Sequence, residues 1–161
     1  MSNGFPARGY EGRPDWNDLL IDFGASLFFD GISIEETKAR VRGQLCYLAL
    51  PFEDISTFQR LASLTNLLSW RVRLAPEIIC LSPNSLAGIC SLDRGLNADQ
   101  QAHASARRAM SLQVFRATGP VIIPPVAGWE DSQELYQIAG TALSAQRPVF
   151  ALKEGVIDGQ L

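Results

Sequence analysis

A chain of 161 residues has room for one domain and can bury about two-thirds of its unfolded surface. With 47% hydrophobic and 19% charged residues it is not a disordered chain, and no apolar run approaches the ~20 residues that span a bilayer. The net charge of −3 comes with no like-charge block longer than a pair, so a nucleic-acid grip built on clustered cations is not expected, nor is a membrane surface. Arg107 and Arg108 are the nearest approach to a basic patch. The expected partner is a small molecule or a second copy of the chain.

In chain order, residues 1–14 hold glycines and prolines and little apolar content, which predicts a loose tail without a secretory signal. Asp15 then caps a helix with Trp16, Leu19, Leu20, Phe23 and Leu27 at helical spacing. Ser26–Ile34 is equally compatible with a hairpin around Asp30-Gly31. Ser33 and Glu36 have the spacing of a capping box and open a short helix ending near Arg42.

Gln44–Pro51 is a short, nearly unbroken apolar run, as a parallel strand covered on both faces requires. Ile55, Phe58, Leu61, Ala62 and Leu68 follow at helical spacing, then a second strand at Ile78–Leu81. Ala98–Phe115 reads as a helix and Pro120–Ile123 as a third strand. Leu135, Ile138, Ala139, Ala142 and Leu143 form a helical stripe, and Pro148–Leu152 is a fourth strand. Strand–helix alternation with short turns predicts an α/β fold, a flavodoxin-like doubly wound parallel sheet of four or five strands. Residues 1–43 would be an N-terminal tail and helical arm, and 44–161 the α/β domain. The arm carries Trp16, Phe23, Phe28 and Phe29, more apolar surface than a short segment buries alone. It is expected to pack across the sheet domain or a neighbouring subunit, which makes a homodimer the expected assembly.

Ligands of open parallel sheets bind beyond the carboxyl ends of the strands, where loops diverge and helix N-termini present free N–H groups. Those loops are Leu50-Pro51-Phe52-Glu53, Ser82-Pro83-Asn84-Ser85 and Ala127-Gly128-Trp129-Glu130-Asp131-Ser132. Acids at Glu53, Asp54, Glu130 and Asp131 are also what any helix start favours.

Tyr47-Leu48-Ala49-Leu50-Pro51-Phe52 resembles the first-strand motif of nucleoside 2-deoxyribosyltransferase-like proteins. Ser82-Pro83 after the second strand, and Gly128-Trp129-Glu130-Asp131-Ser132 followed by an alanine-rich helix and Arg147-Pro148-Val149, are similar to that family in the same order, so the likeness runs from Gln44 to Leu152. The resemblance implies a nucleoside or nucleotide-like ligand at Pro51, Phe52, Ser82, Asn84, Gly128, Trp129 and Ser132. It also implies N-glycosidic chemistry, in which a glutamate on the last helix attacks the anomeric carbon and an aspartate after the third strand assists the base.

The family's acids are missing from their expected places. Counting back from Pro148, the glutamate falls on Ile138, or on Gln137 with a loop one residue longer, and the aspartate falls at Pro124-Pro125. Leu50 also replaces the small residue expected before Pro51. Glu134, one turn before Ile138, and Asp131 are the candidate substitutes for the catalytic pair. Two functions therefore stay open: a divergent transferase or hydrolase of N-glycosidic bonds, and a non-catalytic relative that binds a nucleotide-like ligand or a protein.

His103 is the only histidine and has the setting of a surface residue; no GxSxG, GxGxxG or GxxxxGK[ST] motif is present, so no metal or cofactor is expected. Trp70 is expected in the core or an interface, while Trp129 stands in a loop at the binding edge, open to a ligand or an interface. Cys46, Cys80 and Cys90 lack CxxC spacing; as small packed hydrophobes they fit a reducing, cytosolic compartment.

Overall fold

The computed structural model describes residues 13–51, 57–83 and 100–153, the side chains of 57–64 and 100–108 excepted. Their order is α1 (Trp16–Phe23), β1 (Phe28–Ile32), α2 (Ile34–Val41), β2 (Leu45–Leu48), α3 (Thr57–Leu74), β3 (Ile79–Leu81), α4 (Gln100–Ala117), β4 (Val121–Ile123), α5 (Gln133–Ser144) and β5 (Val149–Leu152).

The two N-terminal helices form where their caps are written. Asp15 accepts from the Asn17 amide at 3.0 Å to open α1. Gly24, at φ +80°, closes it with an N–H bond to the Leu20 carbonyl, a conformation that disfavours any residue with a Cβ. Ser33 accepts from the Glu36 amide while the Glu36 carboxylate accepts from the Ser33 amide, a complete capping box on α2.

All strand pairings are parallel, in the order β1-β5-β4-β2-β3. Taking β2 as first strand and letting β1 stand last reproduces the 2-1-3-4-5 order of flavodoxin-like sheets. The segment expected as a helical arm thus carries α1 and α2 and also supplies an edge strand. Phe28 pairs with Val149 and Phe29 with Phe150, and the register shifts between Asp30 and Ile32, around Gly31 at φ +67°. The Asp30-Gly31 pair marks this irregularity rather than a hairpin turn.

The strands begin one residue later than the apolar runs suggest at Pro120 and Pro148, because proline has no N–H for the ladder. Their carbonyls still serve it: Tyr47 donates to the Pro120 oxygen at 2.8 Å and Val121 to the Pro148 oxygen at 3.0 Å.

Alternation along the strands divides the core in two. One layer joins Tyr47, Ala49, Val121, Ile123, Val149 and Ala151 to α1, α5 and Phe115 of α4. The other joins Cys46, Leu48, Cys80, Ile122, Phe150 and Leu152 to Val41 of α2 and to Leu67, Trp70 and Leu74 of α3. Trp70 is therefore core, as its helical position suggests. Leu135, Ile138 and Leu143 of α5 are fully buried, each contributing about 2 kcal/mol of apolar burial. The buried Tyr47 hydroxyl is matched by Ser111 Oγ at 2.7 Å.

Candidate functional site

From β2 the chain passes through α3 on one face of the sheet; from β4 it passes through α5 on the other. The connections part between β2 and β4, neighbours in the sheet, and a crevice beyond their carboxyl ends is where a ligand would sit. Beyond β2 the chain continues through Ala49-Leu50-Pro51. The Ala49 amide still belongs to the ladder, donating to the Ile122 carbonyl at 2.9 Å, while Leu50 is buried in the α3-side core and Pro51 is half-buried. Val126, beyond β4, packs against that same core. Ser82 and Pro83 are buried at the end of β3. Phe52 and Asn84, and with them Glu53, Asp54, Cys90 and the His103 side chain, lie outside the described residues.

The segment from β4 to α5 is a run of tight turns. Val126 donates to the Pro124 carbonyl, Trp129 to that of Val126, Asp131 to that of Gly128 and Ser132 to that of Trp129. Gly128, at φ +83°, permits the reversal. Ser132 is buried and caps α5, its Oγ accepting from the Leu135 amide at 3.3 Å. Its hydroxyl is committed to the helix end, which the sequence position alone does not distinguish from a ligand contact.

Trp129 packs on the α1-side core, its ring centroid 5.0 Å from that of Trp16. Trp16 also meets Tyr136 edge-on at 5.4 Å, and its Nε1–H donates to the Glu130 carbonyl at 2.8 Å. Outside this aromatic contact Arg13 reaches Asp131 at 2.6 Å and Glu130 at 3.7 Å, all three side chains more than half exposed. The N-terminal segment thus holds the loop that carries the candidate site residues. Neither Arg13 nor Trp16 stands out as a site residue in sequence; the arm's excess of apolar surface was the only signal that it must pack somewhere.

The candidate acids are divided by this arrangement. Asp131 is paired with Arg13 on the exposed side of the loop. Glu134 is half-buried in the first turn of α5, where the helix N-terminus favours an anion. Ile138, one turn on, points into the core at 2% exposure, and Gln137 beside it is half-buried. No acid stands between Val121 and Trp129.

Comparison of the chain with protein-family models, with curated proteins and with solved structures finds no match. Among the described residues no group of three His, Cys, Asp or Glu side chains is placed to hold a metal ion, and no helix is long and apolar enough to cross a membrane.

Proposed function

We propose that this chain is a non-catalytic relative of the nucleoside 2-deoxyribosyltransferase-like proteins that binds a nucleoside or nucleotide-like small molecule at the carboxyl ends of β2 and β4. The support is the fate of one position. Where the resemblance puts a nucleophilic glutamate, Ile138 is packed in the core, and a carboxylate there would be desolvated without a partner. Asp131, one of the two nearby alternatives with Glu134, is tied to Arg13 on the solvent side. A nucleophile must be held to within fractions of an ångström, which an exposed ion pair does not provide. The ligand class rests on the Tyr47–Phe52 and Gly128–Ser132 resemblance and on the parallel-sheet switch point beside them. A cytosolic setting is supported by the free, buried thiols of Cys46 and Cys80.

The test is a thermal-shift screen of nucleosides and nucleoside monophosphates, with chromatography for free base on each hit. Stabilisation without base release is expected. Base release abolished by Glu134→Gln would instead make the chain an enzyme with a displaced carboxylate. A flat response to every nucleoside and nucleotide would remove the ligand assignment.

A further inference from the structure

Three of the most exposed large apolar side chains lie on two helices, each flanked by charge of one sign. On α3, Leu67, Trp70 and Leu74 face the core, which at 3.6 residues per turn leaves Leu68 and Val72 on the opposite side, 59% and 75% exposed. Arg71 and Arg73 flank that pair, Arg73 resting over the Trp70 ring at 4.0 Å, and there is no acid anywhere from Thr57 to Leu74. On α1, Trp16, Leu19, Leu20 and Phe23 face the core, which leaves Ile21 outward at 78% exposure. Asp18 and Asp22 flank it, and α1 has no basic residue. Among the described residues no ion pair engages Asp18, Asp22, Arg71 or Arg73.

These patches cannot meet within one molecule. The first core layer seats α1 on one face of the sheet, beside edge strand β1; the second seats α3 on the other face, beside edge strand β3. We infer that the outer face of α3 is a docking surface for α1 of a second copy of this chain, Ile21 lying against Leu68 and Val72 while Asp18 and Asp22 meet Arg71 and Arg73. Opposite signs around an apolar centre select this pairing over α3 with α3 or α1 with α1, both of which bring like charges together. Because the two patches point away from each other, the contact is heterologous. It extends head to tail into rings or short chains instead of closing as a two-fold dimer. Two short helix faces make a small interface, so the association is weak and salt-sensitive.

Sedimentation of the full chain from micromolar to near-millimolar concentration, at low and high salt, reads this directly. The expected result is a mean mass that rises with concentration at low salt, passes that of a dimer, and falls back on adding salt. Val72→Asp, at an exposed position, should weaken association about tenfold or more with an unchanged circular dichroism spectrum. An acid-reversed protein (Asp18→Lys with Asp22→Lys) and a base-reversed protein (Arg71→Glu with Arg73→Glu) should each stay monomeric alone and assemble when mixed. A wild-type chain that stays monomeric throughout overturns the proposal. So does association that survives Val72→Asp, or reversed proteins that fail to assemble on mixing while remaining folded.

Discussion

The Arg147 guanidinium lies 3.8 Å from the centre of the Phe115 ring, and its Nη1 donates to the Phe115 carbonyl at 2.8 Å. Nε donates to the Gly119 carbonyl at 2.7 Å and Nη2 to Thr118 Oγ1 at 3.2 Å, so one side chain from the turn before β5 closes the carboxyl end of α4. Helix ends leave carbonyls without intrahelical donors, and a cation there also meets the negative end of the helix dipole. Burial lowers the guanidinium pKa below its ordinary value, against a weaker opposing effect of Tyr47.

Arg147→Ala is therefore expected to lower the unfolding free energy by about 3 kcal/mol, from stranded carbonyls and a lost cation–ring contact. Arg147→Lys should recover less than half of that, since an ammonium cannot reproduce the planar fork. Urea unfolding of the two variants checks both values, and a loss below about 1 kcal/mol for alanine would show that water serves those carbonyls equally well.

Around Trp16 the ring and the charges should separate cleanly. Trp16→Ala removes contacts with Phe28, Trp129 and Tyr136 and is expected to cost about 3 kcal/mol. Trp16→Phe keeps most of the ring packing but loses the bond to the Glu130 carbonyl, for about 1 kcal/mol. Arg13→Ala and Asp131→Asn break only an exposed ion pair, and each should change stability by about 0.5 kcal/mol or less. Thermal unfolding of the four variants gives the order; a large effect from Asp131→Asn would mean that the pair, not the rings, holds the loop.

Strands β2, β4 and β5 were legible because each is a short, almost wholly buried run, which needs apolar residues on both faces. Strand β3 was legible because its run is equally apolar, although Ile79 and Leu81 are exposed at the sheet edge. The capping box on α2 and the stripe on α5 were legible for similarly local reasons. Strand β1 was not. Asp30-Gly31 carries the same local signal as a hairpin turn, and pairing with β5 depends on residues about 120 positions away. Trp129 illustrates the same limit at the site. Its loop position suggests a ligand face, yet its neighbour is Trp16, set by where α1 docks on the sheet. Ser132 and Asp131 carry the signals of both a helix start and a polar site, and only their partners tell the two apart.

The cap on α2 also sets an acid response. Hydrogen bonds from the Ser33 hydroxyl and then the Ser33 amide hold the Glu36 carboxyl below its ordinary 4.5, against a weaker effect of burial. A carboxyl depressed in the folded state adds stability above its unfolded value, and that stability is lost as pH falls through the lower folded one. Glu36→Gln should therefore flatten the stability profile below about pH 4.5. Ser33→Ala should cost about 1 kcal/mol at neutral pH and return Glu36 toward its ordinary value. NMR titration of the Glu36 carboxyl in both backgrounds reads the shift, and a value at or above 4.5 in the unaltered chain would contradict the capping account.

Cys46 and Cys80 stand opposite each other on β2 and β3, both buried and free, and they set the alkaline response. Burial, and to a lesser degree the neighbouring Cys80, pushes the Cys46 thiol from 9.0 up to about 12; burial pushes Cys80 up to about 11, against the opposing charge of Arg71. A thiol raised in the folded state keeps its proton where the unfolded chain has lost it. Its stabilising contribution is thus complete below pH 9 and is lost as pH rises through 11 to 12. In a Cys90→Ser background, stability should fall above pH 9 by up to about 1.4 kcal/mol per pH unit for each thiol, and Cys46→Ala with Cys80→Ala should flatten that limb. At neutral pH both thiols should resist iodoacetamide until the protein unfolds, because a buried, protonated thiol is a poor nucleophile. Labelling sorts the two sites further, since β3 is an edge strand of three residues and β2 is paired on both sides. Equal, slow labelling would mean that the sheet opens as one unit, whereas faster labelling of Cys80 would mean that its edge frays first.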